Sequence, residues 1–274
     1  EHYLLQLSEL AKAALFEYPR IPKTAVVDGA CIDLICTCDS STTATYVFHL
    51  IYPTRNKEKV SAFLFSRSHL LSPTTSVPRG EHTSLSIGSH MFLIIIKELA
   101  QYLKSAIICC DSLCSIFWTL SNPKDLTKYI STRTKNIVSN LNNAARILSS
   151  NKATSPTEFT KILHWIPGNC NRPADLGSKY KIAGTAGKTK MITAQDVSPE
   201  SIYHKGEPWF KNQEEAKRTN KLKSAQDILE QNCVPRGEVL ENFETAVKKN
   251  VYSTITGESL SLIHISEPTR PAII

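Results

Sequence analysis

The sequence predicts an α/β domain over residues 25–185, in which helices flank a mixed five-stranded sheet. Three strand-like segments come first and are joined by short turns, which favours an antiparallel meander. Helical and strand-like segments then alternate, which is typical of helices that pack on a mixed sheet. A chain of 274 residues is long enough for one such core and a smaller appendage.

The N-terminal half supplies the meander and a long helix. Residues 1–20 have the apolar spacing of an amphipathic helix that ends at Tyr18-Pro19, because proline disfavours continuation. Segments rich in Ile, Val, Phe, Tyr and Cys predict strands at 30–38, 45–52 and 60–66. After a Pro/Ser/Thr loop, residues 80–102 have the pattern of a long helix.

The remaining elements are predicted from shorter patterns. The order is a buried strand at 106–110, helices at 112–120 and 123–149, a brief strand at 161–166 and a helix that starts at Asp175. After about residue 184 the β-rich segments stop. Residues 186–259 are therefore interpreted as a partly helical linker.

Charge and cysteine content restrict the class of protein. The net charge is +7, and its surplus lies mainly between residues 97 and 190, which suits either a phosphate-binding surface or an ordinary solvated one. The eight cysteines form no CxxC pair with a matching partner, so we expect buried thiols in a reducing compartment and no zinc site. The longest apolar run, 91–96, is too short to cross a bilayer, and we predict no membrane role.

Four carboxylates fall at the ends of predicted elements. Asp39 ends the first strand and Asp111 the fourth, while Glu81 opens the long helix and Asp175 starts the last one. Each alone is typical of a cap or turn residue. If the first and fourth strands are neighbours, all four acids could converge, and a divalent cation would relieve their repulsion.

Four sequence segments resemble the ribonuclease H region of BEL/Pao long-terminal-repeat retrotransposon polyproteins. They are Cys-Asp-Ser-Ser at 38–41, Val-Pro-Arg-Gly-Glu at 77–81, Cys-Asp-Ser-Leu-Cys-Ser-Ile-Phe-Trp at 110–118, and His-Trp-Ile-Pro-Gly-Asn-Cys-Asn-Arg-Pro-Ala-Asp-Leu-Gly-Ser-Lys at 164–179. Lys-Gly-Glu-Pro-Trp-Phe at 205–210 is similar to the family's short segment between ribonuclease H and integrase. The chain is thus expected to be a piece of such a polyprotein.

The resemblance implies a ribonuclease H-like sheet and a metal-dependent nuclease. Asp39, Glu81, Asp111 and Asp175 would bind Mg²⁺ or Mn²⁺, and RNA in an RNA–DNA hybrid would be cut by two-metal catalysis. The hybrid would be contacted through Lys124, Lys128, Arg133, Lys135, Asn169 and Asn171. Other expected partners are the reverse transcriptase and integrase portions of the polyprotein, in cytoplasmic virus-like particles or in the nucleus.

Two readings of the domain stay open at this point. The four acids favour an active nuclease. Departures from the family pattern, such as Ser40 and Thr45 where the family usually has Ala and Gly, and His82 where it usually has Leu, suit a decayed, non-catalytic domain that binds hybrids or connects its neighbours.

The two ends of the chain carry separate predictions. Residues 1–24 would be the tail of the reverse transcriptase connection. Residues 260–270 match the translation of a transposase-kit sequencing adapter, so 260–274 are predicted not to be native sequence.

Overall fold

The computed structural model describes residues 12, 32–41, 43–54, 58–150, 158–178 and 193–231. The predictions for 1–24 lie outside these residues apart from Lys12, which is helical. Those for 232–259 and for the adapter-like 260–274 also lie outside them.

A single mixed sheet organises the described part of the chain. Its strands are β1 (Ile32–Ser40), β2 (Thr43–Pro53), β3 (Lys59–Leu70), β4 (Leu103–Cys110), β5 (Leu163–Trp165) and β6 (Lys223–Ser224). They lie in the order β3-β2-β1-β4-β5-β6. β1, β2 and β3 pair antiparallel, β1–β4 and β4–β5 are parallel, and β6 pairs antiparallel with β5. The predicted ribonuclease H-like fold class is confirmed, and a short sixth strand extends the predicted five.

One face of the sheet is covered by long helices. These are α1 (Val77–Leu99), which a 3₁₀ turn at Ala100–Tyr102 follows, α2 (Leu113–Leu120) and α3 (Lys128–Ser150). α1 contacts β1, β2, β4 and α3. By length and composition alone, Val77–Tyr102 could also cross a membrane. Its contacts with three strands and α3 are those of a core helix.

The other face is covered by elements that follow β5. They are α4 (Arg172–Ser178), α5 (Ile202–Lys205), α6 (Pro208–Lys211) and α7 (Gln213–Arg218). Trp209, Phe210 and Leu222 join a buried cluster with Ile35 and Ile107 of the sheet. Because both faces are covered, β1 and β2 are buried along almost their whole length, which explains their continuous apolar sequences.

Residues 193–226 belong to the same compact unit as the sheet, and this unit ends at Gln226. The sequence interpretation had placed them in a linker that begins at residue 186. Their apolar side chains pack on the sheet, and this packing places them within the domain. A second unit begins at Asp227, inside the last described helix, α8 (Ala225–Gln231).

The described cysteines are free thiols, as predicted. Cys36, Cys38, Cys109 and Cys110 are buried in β1 and β4. Burial raises the pKa of the Cys109 and Cys110 thiols well above the ordinary value, so these side chains act as small apolar groups.

A buried histidine connects the sheet to residues 193–226, here called the added segment, and predicts that the fold is sensitive to acid. His49 of β2 is fully buried, and its Nε2 lies 2.9 Å from the carbonyl oxygen of Tyr203. Burial lowers the pKa of His49 to about 4, whereas an exposed histidine has a pKa near 6.5. The neutral ring therefore stabilises the fold fully above pH 6.5, and this contribution is lost as pH falls toward about 4.

Between pH 6.5 and 4 the wild-type chain should lose roughly 3 kcal/mol of stability through protonation of His49. We expect His49→Gln to escape this loss. Glutamine can still donate to the Tyr203 carbonyl but cannot take up a proton. Urea unfolding across this pH range measures the difference. His90 is exposed, so His90→Gln is the matched control, and an equal effect of both variants would contradict the prediction.

Candidate functional site

Two aspartates lie side by side where two parallel strands end. Cys38 of β1 is the register partner of Cys110 of β4, so the next residues, Asp39 and Asp111, share the carboxyl edge of the sheet. Asp39 is only 7% exposed and accepts a hydrogen bond from the Ser178 hydroxyl. β1 continues one residue beyond Asp39, to Ser40, which departs slightly from the predicted strand end.

Glu81 reaches this edge because α1 approaches β1 closely. A Cβ on Gly80 would lie 2.4 Å from the Ser40 Oγ, so only a glycine allows this approach without a shift. The prediction placed Glu81 at the opening of the helix. The structure starts α1 at Val77, three residues before the predicted start at residue 80, because Pro78 fits the first turn of a helix.

Asp175 lies in the first turn of α4, and the loop before it ties the helix to the site. The Asp175 amide donates to the Asn171 carbonyl at 3.0 Å. The Asn171 side chain donates through Nδ2 to the Cys38 carbonyl at 2.9 Å, directly before Asp39. Asn171 therefore joins the loop of the fourth acid to the strand of the first.

The carboxylates are close enough to change one another's protonation. The pKa of Glu81 is raised to about 7, mainly by burial and also by the charges of Asp111 and Asp39, while a hydrogen bond from Ser112 acts in the opposite direction. Burial also raises the pKa of Asp111 to about 7, and the charges of Asp39 and Asp175 act in the same direction. A hydrogen bond from Asn171 opposes that shift. This edge therefore concentrates negative charge that favours protons or cations.

The donor chemistry of the site suits a hard divalent cation. Carboxylate oxygens are ligands that Mg²⁺ prefers. The Asp111 Oδ1 is buried and has no hydrogen-bond partner within the part of the chain described here, which leaves an acceptor open for a cation. Among these same residues, no group of three or more His, Cys, Asp and Glu side chains is already arranged as a metal cluster. The acids thus interact as charges without forming a closed ligand set.

Four of the six predicted nucleic-acid contacts lie on the surface. Lys124 stands in a 3₁₀ turn before α3, Lys128 and Lys135 lie on α3, and Asn169 lies in the loop after β5; all are exposed. Lys128 and Lys135 are seven residues apart and share one face of the helix. The Tyr129 hydroxyl lies 2.9 Å from the Thr83 Oγ1, so the start of α3 contacts the N-terminal part of α1, the helix that carries Glu81.

The other two predicted contacts have structural partners. The Arg133 guanidinium carbon lies 3.6 Å from the centre of the Tyr129 ring, and its Nε donates to the Thr83 Oγ1 at 2.9 Å. Arg133 thus joins α3 to α1. Asn171 has no exposed surface, so its predicted role as a surface contact needs correction: its amide holds Cys38 within the protein.

Three supporting residues were not identified from sequence. Ser178 donates to Asp39, Ser112 hydrogen-bonds Glu81, and Trp165 donates through Nε1 to the Asp111 carbonyl at 2.9 Å. Each stands in or beside one of the segments that resemble the retrotransposon family. That proximity was the available signal, because neither composition nor spacing marks a serine as a partner of an acid.

Comparisons with known proteins add little to this description. No protein-family model matches the chain, and no curated protein matches it either. Among solved structures, the N-terminal ribonuclease H domain of a Mycobacterium tuberculosis protein, determined as a fusion with maltose-binding protein, aligns with 54% of this chain and 89% of its own. The identity is 14% and the TM-score is 0.30, too low to support an argument about fold or function.

Proposed function

We propose that this chain is the ribonuclease H portion of a BEL/Pao-type retrotransposon polyprotein and hydrolyses the RNA strand of RNA–DNA hybrids. One observation carries the proposal: Asp39 and Asp111 end adjacent parallel strands, the charge of Asp111 raises the pKa of Glu81, and the charge of Asp175 raises the pKa of Asp111. A concentration of buried acids with raised pKa values is typical of a functional site. The family-like segments at 38–41, 77–81, 110–118 and 164–179 contain these same acids.

The four acids would hold Mg²⁺ or Mn²⁺ at the sheet edge. When bound, the metal ions would supply an activated water and stabilise charge on the phosphate and leaving oxygens. The protein's part is to hold the carboxylates in place before substrate arrives. Ser178 orients Asp39, and the Asn171 amide restrains the loop that leads to Asp175.

The substrate would be bound through its phosphates. Lys124, Lys128 and Lys135 form an exposed basic surface around the start of α3, and Asn169 is exposed in the loop before α4. Contacts of this kind recognise the shape and charge of a duplex more than its sequence. The reverse transcriptase and integrase portions of the polyprotein would work beside this domain, in cytoplasmic virus-like particles or in the nucleus.

Hydrolysis of a labelled RNA–DNA hybrid by the purified full chain tests the proposal. We expect RNA cleavage in Mg²⁺ or Mn²⁺ and none in EDTA, because EDTA removes the metal ions that would supply the activated water and neutralise the acids. A DNA duplex and an RNA duplex of the same sequence are the matched controls and should stay intact. A folded chain that leaves the hybrid uncut in either metal would refute the proposed activity.

A second candidate function is a non-catalytic, hybrid-binding or connecting domain. The open ligand arrangement favours it, since no three candidate ligands among the described residues already form a metal cluster. This reading predicts salt-dependent hybrid binding through the lysines without cleavage. Binding that is equally tight in EDTA and Mg²⁺, with intact RNA, would select it over the nuclease.

A further inference from the structure

Glu207 is a buried acid that lies outside the four-carboxylate site. The residue is 2% exposed. It accepts hydrogen bonds from the Arg172 backbone nitrogen at 3.1 Å and from the Arg172 Nε at 2.8 Å, and Arg172 Nη2 donates to its second oxygen at 2.6 Å. A buried carboxylate is costly unless it is paired and hydrogen-bonded in this manner. Glu207 is therefore held by an ion pair and hydrogen bonds to Arg172, the first residue of α4.

Trp209 makes a second contact with the same loop. Its indole Nε1 donates to the Cys170 carbonyl at 3.0 Å, while its ring is 7% exposed in the cluster that includes Phe210. Cys170 and Arg172 are the two neighbours of Asn171. The added segment thus holds the loop on both sides of that asparagine.

Gly206 makes this arrangement possible. Its φ of 68° with ψ of −178° lies in a region that only glycine adopts readily. A Cβ at this position would also lie 2.3 Å from the Phe210 ring. The turn at Gly206 brings Glu207 and Trp209 onto the loop while Phe210 enters the core.

The loop transmits this restraint to the acids. Asn171 donates to the Cys38 carbonyl and accepts from the Asp175 amide, and its side chain favours the charged form of Asp111. Movement of Cys170 or Arg172 would therefore disturb the surroundings of Asp39, Asp111 and Asp175 together.

We propose that residues 206–210, here called the clamp, position the loop 168–175 for catalysis, and that the catalytic unit extends to Phe210. Glu207 and Trp209 are positioning residues that act through Arg172 and Cys170. The inference rests on the proposed nuclease function, but its structural half, restraint of the loop by the clamp, can be measured without activity.

Glu207→Gln in the full chain tests the clamp. We expect hydrogen exchange of the amides in 168–178 to become at least about 10-fold faster in EDTA, while exchange in β2 stays unchanged, because local opening needs no global unfolding. The kcat for hybrid cleavage should fall about 10- to 100-fold, since small displacements of reacting groups have effects of this size. The KM should stay within about two-fold, because the binding lysines are untouched and Asn169 is the one proposed contact that lies in the loosened loop.

Two further variants separate positioning from folding. Glu200 is exposed and pairs with Lys205 in the same segment, so Glu200→Gln should change neither exchange nor kcat. Trp209→Phe keeps an aromatic ring in the core but removes the indole donor and leaves a small cavity, so it should loosen 168–178 to a smaller degree. If Glu207→Gln fails to fold, Trp209→Phe still provides the measurement.

The possible outcomes decide between the two proposals. The clamp is overturned if amide hydrogen exchange at 168–178 is unchanged in Glu207→Gln. It is also overturned if exchange becomes equally faster over the whole chain while the folded fraction keeps the wild-type kcat. A wild-type chain that never cuts the hybrid overturns the proposed nuclease instead. In that case, local loosening by Glu207→Gln still supports restraint of the loop, and unchanged exchange refutes it.

Discussion

Asp111→Asn is expected to abolish hybrid cleavage, with a loss on the order of 10³-fold, which equals about 4 kcal/mol of transition-state stabilisation. Asparagine keeps the size of the side chain but lacks the negative charge that would hold a cation beside Asp39. Hybrid binding should stay near the wild-type level, because Lys124, Lys128 and Lys135 are exposed and unaltered. Cleavage of labelled RNA and fluorescence anisotropy of the same hybrid measure the two effects separately.

The stability of this variant shows whether lost charge or lost structure is responsible. Burial raises the pKa of Asp111 to about 7, so the folded chain binds this proton more tightly than the unfolded chain does. Without metal, the wild-type protein therefore loses stability as pH rises from about 4 to 7, and Asp111→Asn escapes this loss. At pH 8 in EDTA the variant should unfold at the same temperature as wild type or a higher one.

A buried aspartate away from the site is the matched control for this experiment. Asp33, near the other end of β1, pairs with Lys59 and accepts from Ser105. Asp33→Asn should leave the cleavage rate of folded protein unchanged. Equal loss of binding and cleavage in Asp111→Asn, or a lower unfolding temperature at pH 8, would contradict the assigned role.

Phe210→Ala is expected to destabilise the domain by about 3–5 kcal/mol, the usual effect of deleting a fully buried phenylalanine ring. Phe210 has no exposed surface and packs with Ile35 and Ile51 of the sheet. A typical domain has only about 5–15 kcal/mol of stability. A chain that ends at residue 190 lacks Phe210 together with Trp209 and Leu222, and we expect it not to fold cooperatively.

Thermal and urea unfolding followed by circular dichroism measure this effect. Leu70 is a large apolar residue that is 75% exposed, so Leu70→Ala is the matched control and should change stability by less than about 0.5 kcal/mol. Full stability in the chain that ends at residue 190 would show that residues 193–226 only rest on a domain complete without them.

The sheet could be predicted from sequence because its strands carry a strong signal. β1, β2 and β4 are covered on both faces and therefore appear as continuous apolar segments. The acids were predicted from their place at the ends of these elements. The parallel pairing of β1 with β4 brings Asp39 and Asp111 together, and the role of all four acids as metal ligands stays a prediction.

The docking of residues 193–226 could not be predicted in the same way. α5 and α6 have four residues each, too few to show helical periodicity. Their fit depends on contacts with residues far away in sequence, such as Glu207 with Arg172. The burial of Asn171 was missed for a related reason: an asparagine in a loop is typical of exposed positions, and only its distant partner at Cys38 explains why this one is inside.

The position of the clamp in the chain also has a consequence for the order of synthesis. A ribosome makes Asp39, Glu81, Asp111 and Asp175 before it makes Glu207 and Trp209, and domains in general fold as units once their segments are available. The loop before α4 therefore lacks its restraint while the nascent chain is still growing. A nuclease built in this way would gain full activity only after synthesis has passed Phe210, so RNA near the translating ribosome would meet an incomplete enzyme.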